Sequence, residues 1–445
     1  MSSSSAPPPA PSLISEGDSS NWNHASFFTR FWTFSLWSLL IPLGLVFSIP
    51  ISIFRKCTDF ACNRGNLWQV FSITFVSFTL SLARVHVLFP WYTMRLGCFL
   101  QARLNSCCRR RVLKVEKMKT TVDVATSHTV FTQQLTNLNI GPVTYDLYSP
   151  TGVSIETAKT IVIHAVGGFR FCMPSRFYAY SIGSLVLHKS KDHDSSSDNA
   201  TIWAMVRYTT TGLNPNACVE NELQVKEVRK VFLDLKAKNP TAKIVLSGDS
   251  VGANIVLCAA MDMKNANVLS QEDGRGTSAS ANANSSNNLT TPKNPMPDAL
   301  LLHCPVYDSY HAPLSPHKNY YRDFLTPEVF QLSRRLYHGA ASAKDNYESN
   351  HRHAKIDPKM FAQTLTDIPV LVTLGGKDLL VDVGKQLYDD LKEHGVNATL
   401  YTAENGVHNF MFLNGIDFTM MTWLTNRKEV KEAHDRIRKF IRELK

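Results

Sequence analysis

No zinc-ligand pattern joins the nine cysteines of this 445-residue chain, so a structural metal site is not expected. No internal repeat is present, which excludes a solenoid or a propeller. No basic start precedes the first apolar run, and that run is too long for a cleaved signal peptide. Nor is there a recognisable nucleic-acid module to accompany the formal net charge of +10. The basic residues therefore need another explanation.

Charge is also missing from residues 31–54 (FWTFSLWSLLIPLGLVFSIPISIF), a run of 24 residues. About 20 apolar residues span a bilayer, so this run is expected to cross a membrane, with Pro42 and Pro50 tolerated inside it. A second run, 70–90, contains Arg84 and His86 near its end, and either spans or lies at the interface. The Ser- and Pro-rich residues before the first run are expected to be disordered, giving a disordered 1–30 and a membrane region 31–92. Residues 95–119 carry eight Lys/Arg against one Glu, and residues 427–445 eight against four acids. The remaining chain is close to neutral. The first stretch, beside the apolar runs, is read as attraction to anionic headgroups. The second alternates basic and apolar positions like a solvated amphipathic helix.

The most informative stretch is AKIVLSGDSVGANIVLC, residues 242–258. An apolar run at Ile244–Leu246 meets Gly248-Asp249-Ser250-Val251-Gly252, and a second apolar segment follows at once. This is the strand–turn–helix setting in which the serine of G-x-S-x-G becomes a nucleophile. The turn strains Ser250 and is expected to push its hydroxyl into the open. The glycines let neighbouring backbone approach closely, and Val251 in the first helical turn has an N–H free for a developing oxyanion.

Such a serine needs an acid and then a histidine further along the chain. PVLVTLGGKD, residues 369–378, reads as a buried strand ending in Gly375-Gly376 and then Asp378. Carboxylates just past a strand's C-terminal end sit where open α/β sheets bind ligands. Asp382 is a rival four residues on, and Asp378 is preferred because it follows the strand end directly. Another strand, Thr399–Ala403, leads to Glu404-Asn405-Gly406-Val407-His408, which places His408 in the loop after it. The chain has 15 histidines, and His303, His351 and His353 are read as structural because no pattern singles them out. A further strand, Thr160–His164, is followed by Ala165-Val166-Gly167-Gly168, a glycine turn whose N–H groups suit a substrate oxygen.

Together these residues resemble the hormone-sensitive-lipase-like branch of the α/β-hydrolases, over about residues 140–440. That branch carries a His-Gly-Gly-Gly loop, a Gly-Asp-Ser-x-Gly elbow, a Gly-x-x-Asp acid and a Gly-x-x-His base. With its apolar N-terminus the chain looks most similar to the membrane-anchored fungal steryl acetate deacetylases. One departure is plain: the glycine loop begins Ala165-Val166, and a histidine stands one place earlier, at His164. The resemblance implies an α/β-hydrolase fold with a mostly parallel, eight-stranded-type sheet flanked by helices. It implies catalysis by Ser250, Asp378 and His408, with oxyanion donors at Gly167, Gly168 and Val251. Neither a metal nor an organic cofactor is implied. The partners would be a lipophilic ester, a steryl acetate above all, and membrane lipid, with no nucleic acid and no obligatory protein partner.

Within a hydrolase domain at 93–445, Val143–Tyr148 reads as an early antiparallel strand, while Ile202–Tyr208 and Ala299–Cys304 read as central strands. Residues 221–237 read as a covering helix. Residues 265–297, rich in Ser, Asn, Ala and Gly, are expected to form a disordered insertion. Cap elements are expected at about 100–140 and 305–365, the latter with Thr326 capping a helix that has Pro327 in its first turn. Arg109, Arg110 and Arg111 favour a cytosolic face for their loop, whereas the resemblance points to the lumen of the endoplasmic reticulum, which is preferred. Sequons at Asn199, Asn284, Asn288 and Asn397 are no more than composition provides. Cys57 and Cys62 would pair in a lumenal loop; Cys107 and Cys108 would be acylated in a cytosolic one.

Overall fold

Six short apolar runs, most of them uninterrupted by charge, demand a sheet buried on both faces, and a computed structural model of the chain contains one. It divides the chain into two units, Met1–Arg55 and Lys56–Lys445. The structure describes residues 113–120, 138, 140–167, 178–186, 200–209, 221–276, 295–307, 319, 322–323, 325, 356, 358–413 and 427–444. The expected disordered terminus, both apolar runs and the Thr326–Pro327 cap helix lie outside these residues. Among the described residues no helix is long and apolar enough to cross a membrane.

The eight strands are β1 (Leu113–Lys119), β2 (Thr144–Pro150), β3 (Thr160–Ala165), β4 (Thr201–Arg207), β5 (Lys243–Asp249), β6 (Ala299–His303), β7 (Val370–Gly375) and β8 (Ala398–Ala403). They form one sheet in the order β1-β2-β4-β3-β5-β6-β7-β8. β2 runs antiparallel to both β1 and β4, and the other pairings are parallel. The helices are α1 (Ala179–Val186), α2 (Asn221–Lys238), α3 (Val251–Gly276), α4 (Lys359–Thr364), α5 (Val381–Glu393), α6 (Phe410–Leu413) and α7 (Arg427–Glu443).

Alternation along each strand divides the apolar side chains between two cores. Ile161, Ile163, Ile244, Leu246, Leu300, Leu302, Val370 and Val372 face one side and pack with α2, α3 and α5. Val162, Val245, Leu301 and Leu371 face the other and pack with α1 and α7. Strands covered on both faces read as continuous hydrophobic runs, which is why β3 to β7 are evident in the sequence. α7 meets the sheet through Val430, Ala433, Ile437 and Ile441, a stripe at three- and four-residue spacing, and turns its charges outward.

Two expected boundaries are corrected. Residues 113–119, assigned to the cap, form the edge strand β1. Lys114, Glu116 and Lys117 hid it, but charged side chains are common on edge strands, where they discourage pairing with other chains. Residues 265–276, the first part of the expected disordered insertion, are helical instead, because α3 continues through Gly276, and residues 277–294 lie outside the described residues. Polar composition does not prevent helix where a buried first half has already nucleated it.

Candidate active site

β5, β6, β7 and β8 are neighbours in one parallel array, so their C-terminal ends lie side by side. Ser250 follows β5, Cys304 follows β6, Asp378 lies three residues past β7, and His408 lies in the loop after β8.

Ser250 has φ 54°, a left-handed conformation that a residue with a side chain adopts only under constraint. The constraint is visible. Ser250 N–H donates to His303 O at 2.8 Å, and Val306 N–H donates to Ser250 O at 3.1 Å, so the turn is held by the end of β6. A Cβ on Gly248 would strike the Gly252 carbonyl, and one on Gly252 the Ala165 carbonyl, so only glycine fits at either position. The hydroxyl is not in the open as expected. Ser250 is 1% exposed, and its Oγ has no hydrogen-bond partner.

His408 is buried and its Nδ1 lies 3.0 Å from Asp378 Oδ2. The other Asp378 oxygen accepts Leu380 N–H at 2.7 Å. Asp382 stands exposed in the first turn of α5, so Asp378 is the acid that reaches the histidine. The acid and base loops are also joined through backbone, Lys377 N–H donating to Gly406 O at 2.8 Å. Burial pulls the His408 pKa down, but the Asp378 charge and hydrogen bond, aided by Asp323 and Asp249, bring it above the ordinary imidazole value. The Asp–His link of a triad is therefore formed and the Ser–His hydrogen bond is not. Catalytic hydrogen bonds commonly tighten only with substrate in place.

The oxyanion donors are placed unevenly. Val251 opens α3, where an N–H has no intrahelical acceptor. Gly168 lies outside the described residues. Gly167 departs from expectation: its N–H is donated to Asp249 Oδ1 at 2.9 Å rather than facing a substrate. The physical reason is Asp249 itself, a wholly buried carboxyl group that must collect donors. It takes His164 Nε2 at 2.9 Å, Tyr178 OH at 2.9 Å and Asn409 Nδ2 at 2.6 Å as well. One side chain thus links the elbow to the glycine turn, to the start of α1 and to the residue beside His408.

His164 has a role that motif reading left open. With Nε2–H given to Asp249, its Nδ1 must accept from Ser247 Oγ, 2.9 Å away. Ser247 Oγ then accepts from His303 Nε2 at 3.2 Å, and His303 Nδ1 accepts from Thr373 at 2.8 Å. A hydrogen-bonded row thus crosses four strands beneath the site, with its direction set by the carboxyl group at its end. Burial drives the His303 pKa well below the ordinary value, so the ring is kept neutral.

Three further residues carry no motif. Asp323, wholly buried, accepts N–H groups from both the acid and the base loop. Asn319 Nδ2 donates to Gly376 O and Asp378 O, each at 2.9 Å. Cys304, Asp378 and His408 bring candidate metal-ligand atoms within 4.8 Å of one another. Those atoms are already occupied: Asp378 holds His408, and Cys304 Sγ accepts Asn409 N–H at 3.4 Å. Burial and the Asp378 charge also push the Cys304 thiol up, away from the thiolate a metal needs.

A family model described as the alpha/beta hydrolase fold matches residues 216–412, spanning the elbow, acid and base but not the glycine turn. Among solved structures, one from a study of two fungal esterases of Rhizomucor miehei aligns with TM-score 0.53 at 12% identity, over 79% of this chain and 90% of its own. An esterase of the bacterial hormone-sensitive lipase family aligns with TM-score 0.52 at 16% identity, over 84% and 98%. A thermostable esterase from Pseudomonas putida aligns with TM-score 0.50 at 14% identity, over 81% and 93%. No curated protein matches the chain. The chain thus has the α/β-hydrolase fold, with a mostly parallel eight-stranded sheet flanked by helices.

Proposed function

We propose that the protein is a membrane-anchored serine ester hydrolase that removes a short acyl group, acetate in the first place, from a lipophilic alcohol such as a sterol. The observation that carries the hydrolase reading is Ser250 at φ 54° beside a buried Asp378–His408 pair, on neighbouring strand ends. The esterases of the same fold support it. The uncharged run at 31–54 and the basic stretch after it support attachment to a membrane; placement of the domain in the lumen of the endoplasmic reticulum follows from the resemblance alone.

In this mechanism Ser250 Oγ attacks the ester carbonyl as His408 takes its proton. Asp378 holds the imidazole and stabilises the imidazolium. The tetrahedral oxyanion is met by Val251 N–H and by the glycine turn, where Gly168 becomes the principal donor while Gly167 serves Asp249. Collapse breaks the bond to the alcohol, which leaves with the proton from His408. Water then attacks the acyl-enzyme and gives a proton to His408; collapse breaks the acyl–Oγ bond, releasing the acid, and His408 returns the proton to Ser250 Oγ. A substrate must open the covering over Ser250 and draw Oγ onto His408.

Hydrolysis of a steryl acetate, compared with medium-chain acylglycerols, tests the substrate class. Faster turnover of the steryl acetate, lost in Ser250→Ala, supports the proposal. Preference for acylglycerols points to a broad lipid or xenobiotic carboxylesterase. Full activity in a folded Ser250→Ala protein contradicts the mechanism. A second reading, a lipid-binding protein without turnover, is favoured by the unmade Ser–His bond and by the engaged Gly167 N–H. Tight lipid binding with no hydrolysis would select it.

A further inference from the structure

Two carboxyl groups, not one, close on His408. Asp323 comes from a part of the chain that no motif marks, and it is wholly buried. Its Oδ2 accepts Leu379 N–H at 2.7 Å, immediately after the acid, and its Oδ1 accepts the N–H of His408 itself at 3.2 Å. Asn319 completes the clamp. Its side chain donates to the carbonyls of Gly376 and Asp378, while its own carbonyl accepts the N–H groups of Arg322 at 2.9 Å and Asp323 at 3.2 Å. The relative position of the acid and base loops is therefore set from a third place in the chain.

We infer that Asp323 is a positioning residue for the ester hydrolysis proposed above, on which this inference rests. It locks the acid loop to the base loop through their backbone N–H groups, and its carboxyl group backs the Asp378–His408 pair as a second negative partner for the imidazolium.

The charges explain why a carboxyl group, rather than a neutral acceptor, matters there. His408 faces Asp378, Asp323 and Asp249, with the Cys304 thiol beside Asp378. Asp323 faces Asp378 and His408, and burial first, then the Asp378 charge, lift it to about 7. The nearby cations, Arg322 and Lys377, lie close enough to repel each other. Two buried carboxylates repel while His408 is neutral. That repulsion is relieved when His408 takes the serine proton, so the pair favours the charge-separated state that the reaction passes through.

The test is the rate of fluorophosphonate labelling against pH, using the full chain in membranes, for wild type, Asp323→Asn and Asp323→Glu. Labelling requires neutral His408, so the rate falls on the acid side as His408 takes up a proton. Asp323→Asn is expected to label at least tenfold more slowly, with its acid limb about one pH unit lower, because a charge that favours imidazolium is gone. Asp323→Glu, which keeps the charge, is expected to hold the limb in place even if its rate falls. An Asp323→Asn protein with the wild-type limb and rate overturns the inference and leaves ester hydrolysis standing. Wild type that never labels overturns both. Should Asp323→Asn fail to fold, Asp323→Glu decides: slower labelling with the acid limb at its wild-type pH is expected, and a limb about one pH unit lower, or a rate equal to wild type, overturns the inference.

Discussion

At the scale of single residues, the nucleophilic role proposed for Ser250 rests on geometry rather than on an unusual side chain. A left-handed φ and a hydroxyl without a hydrogen-bond partner are both unfavourable in a buried setting, and His303, Val306 and the two elbow glycines hold the residue there regardless. Asp378→Asn should leave the fold intact and lower kcat by about 10³–10⁴, since the wrong imidazole tautomer is then favoured; stopped assays on purified protein would show it. Because the His408 pKa is raised, the acid limb of kcat/KM should lie above the ordinary imidazole value. The sign for stability is opposite. A histidine that holds its proton more tightly when folded stabilises fully below its unfolded pKa and loses that contribution as pH rises through the folded one. Activity should thus rise with pH while this part of stability falls, which paired rate and melting profiles can check. The motif residues were legible in the sequence because their chemistry demands fixed spacing along one stretch of chain. Asp323, Asn319 and Asn409 were not, since their partners lie 30 or more residues away and meet only in the folded sheet. Gly167 shows the same limit: a glycine announces a close approach, but not that its N–H is taken by Asp249.

Among elements, the sheet does most of the positioning. Strands β3 and β5 to β7 could be read as buried because both faces are apolar, and their ends coincide with the motif residues. β1 was obscured by its charges, and the length of α3 by polar composition after residue 264. α7 braces the base loop from outside: Glu429 accepts Asn405 N–H at 3.1 Å, and Tyr401 OH donates to Glu429 O at 3.2 Å. Its attachment rests on a narrow stripe, so Ile437→Ala, at a wholly buried position, should cost about 2–4 kcal/mol in denaturant unfolding. Asp249→Asn tests the link between elbow, glycine turn and base loop. An amide has one accepting oxygen and an NH2 in place of the other, so at least one buried donor loses its partner, a cost of about 1–3 kcal/mol. Labelling of Ser250 should weaken with it, as the Gly167 turn and Asn409 come loose together. Unchanged stability and labelling would mean that the four contacts to Asp249 are dispensable.

For the molecule as a whole, the membrane attachment proposed above would account for the uneven placement of the basic residues. The charge at 95–119 lies just after the apolar runs, where headgroups would be, and most of the remaining chain is near neutral. If the domain lies in the lumen as proposed, the exposed Asn397, within a sequon, is open to glycosylation. Endoglycosidase treatment should then increase gel mobility, and Asn397→Gln should remove part of the shift.

The central claim is that Ser250 is an activated nucleophile despite its covered position. Labelling by a fluorescent fluorophosphonate, wild type against Ser250→Ala in isolated membranes, tests it most directly. Labelling of wild type that disappears in the variant is the expected result. A folded wild-type protein that binds lipid tightly yet never labels would contradict the claim and identify a binding protein on a hydrolase fold.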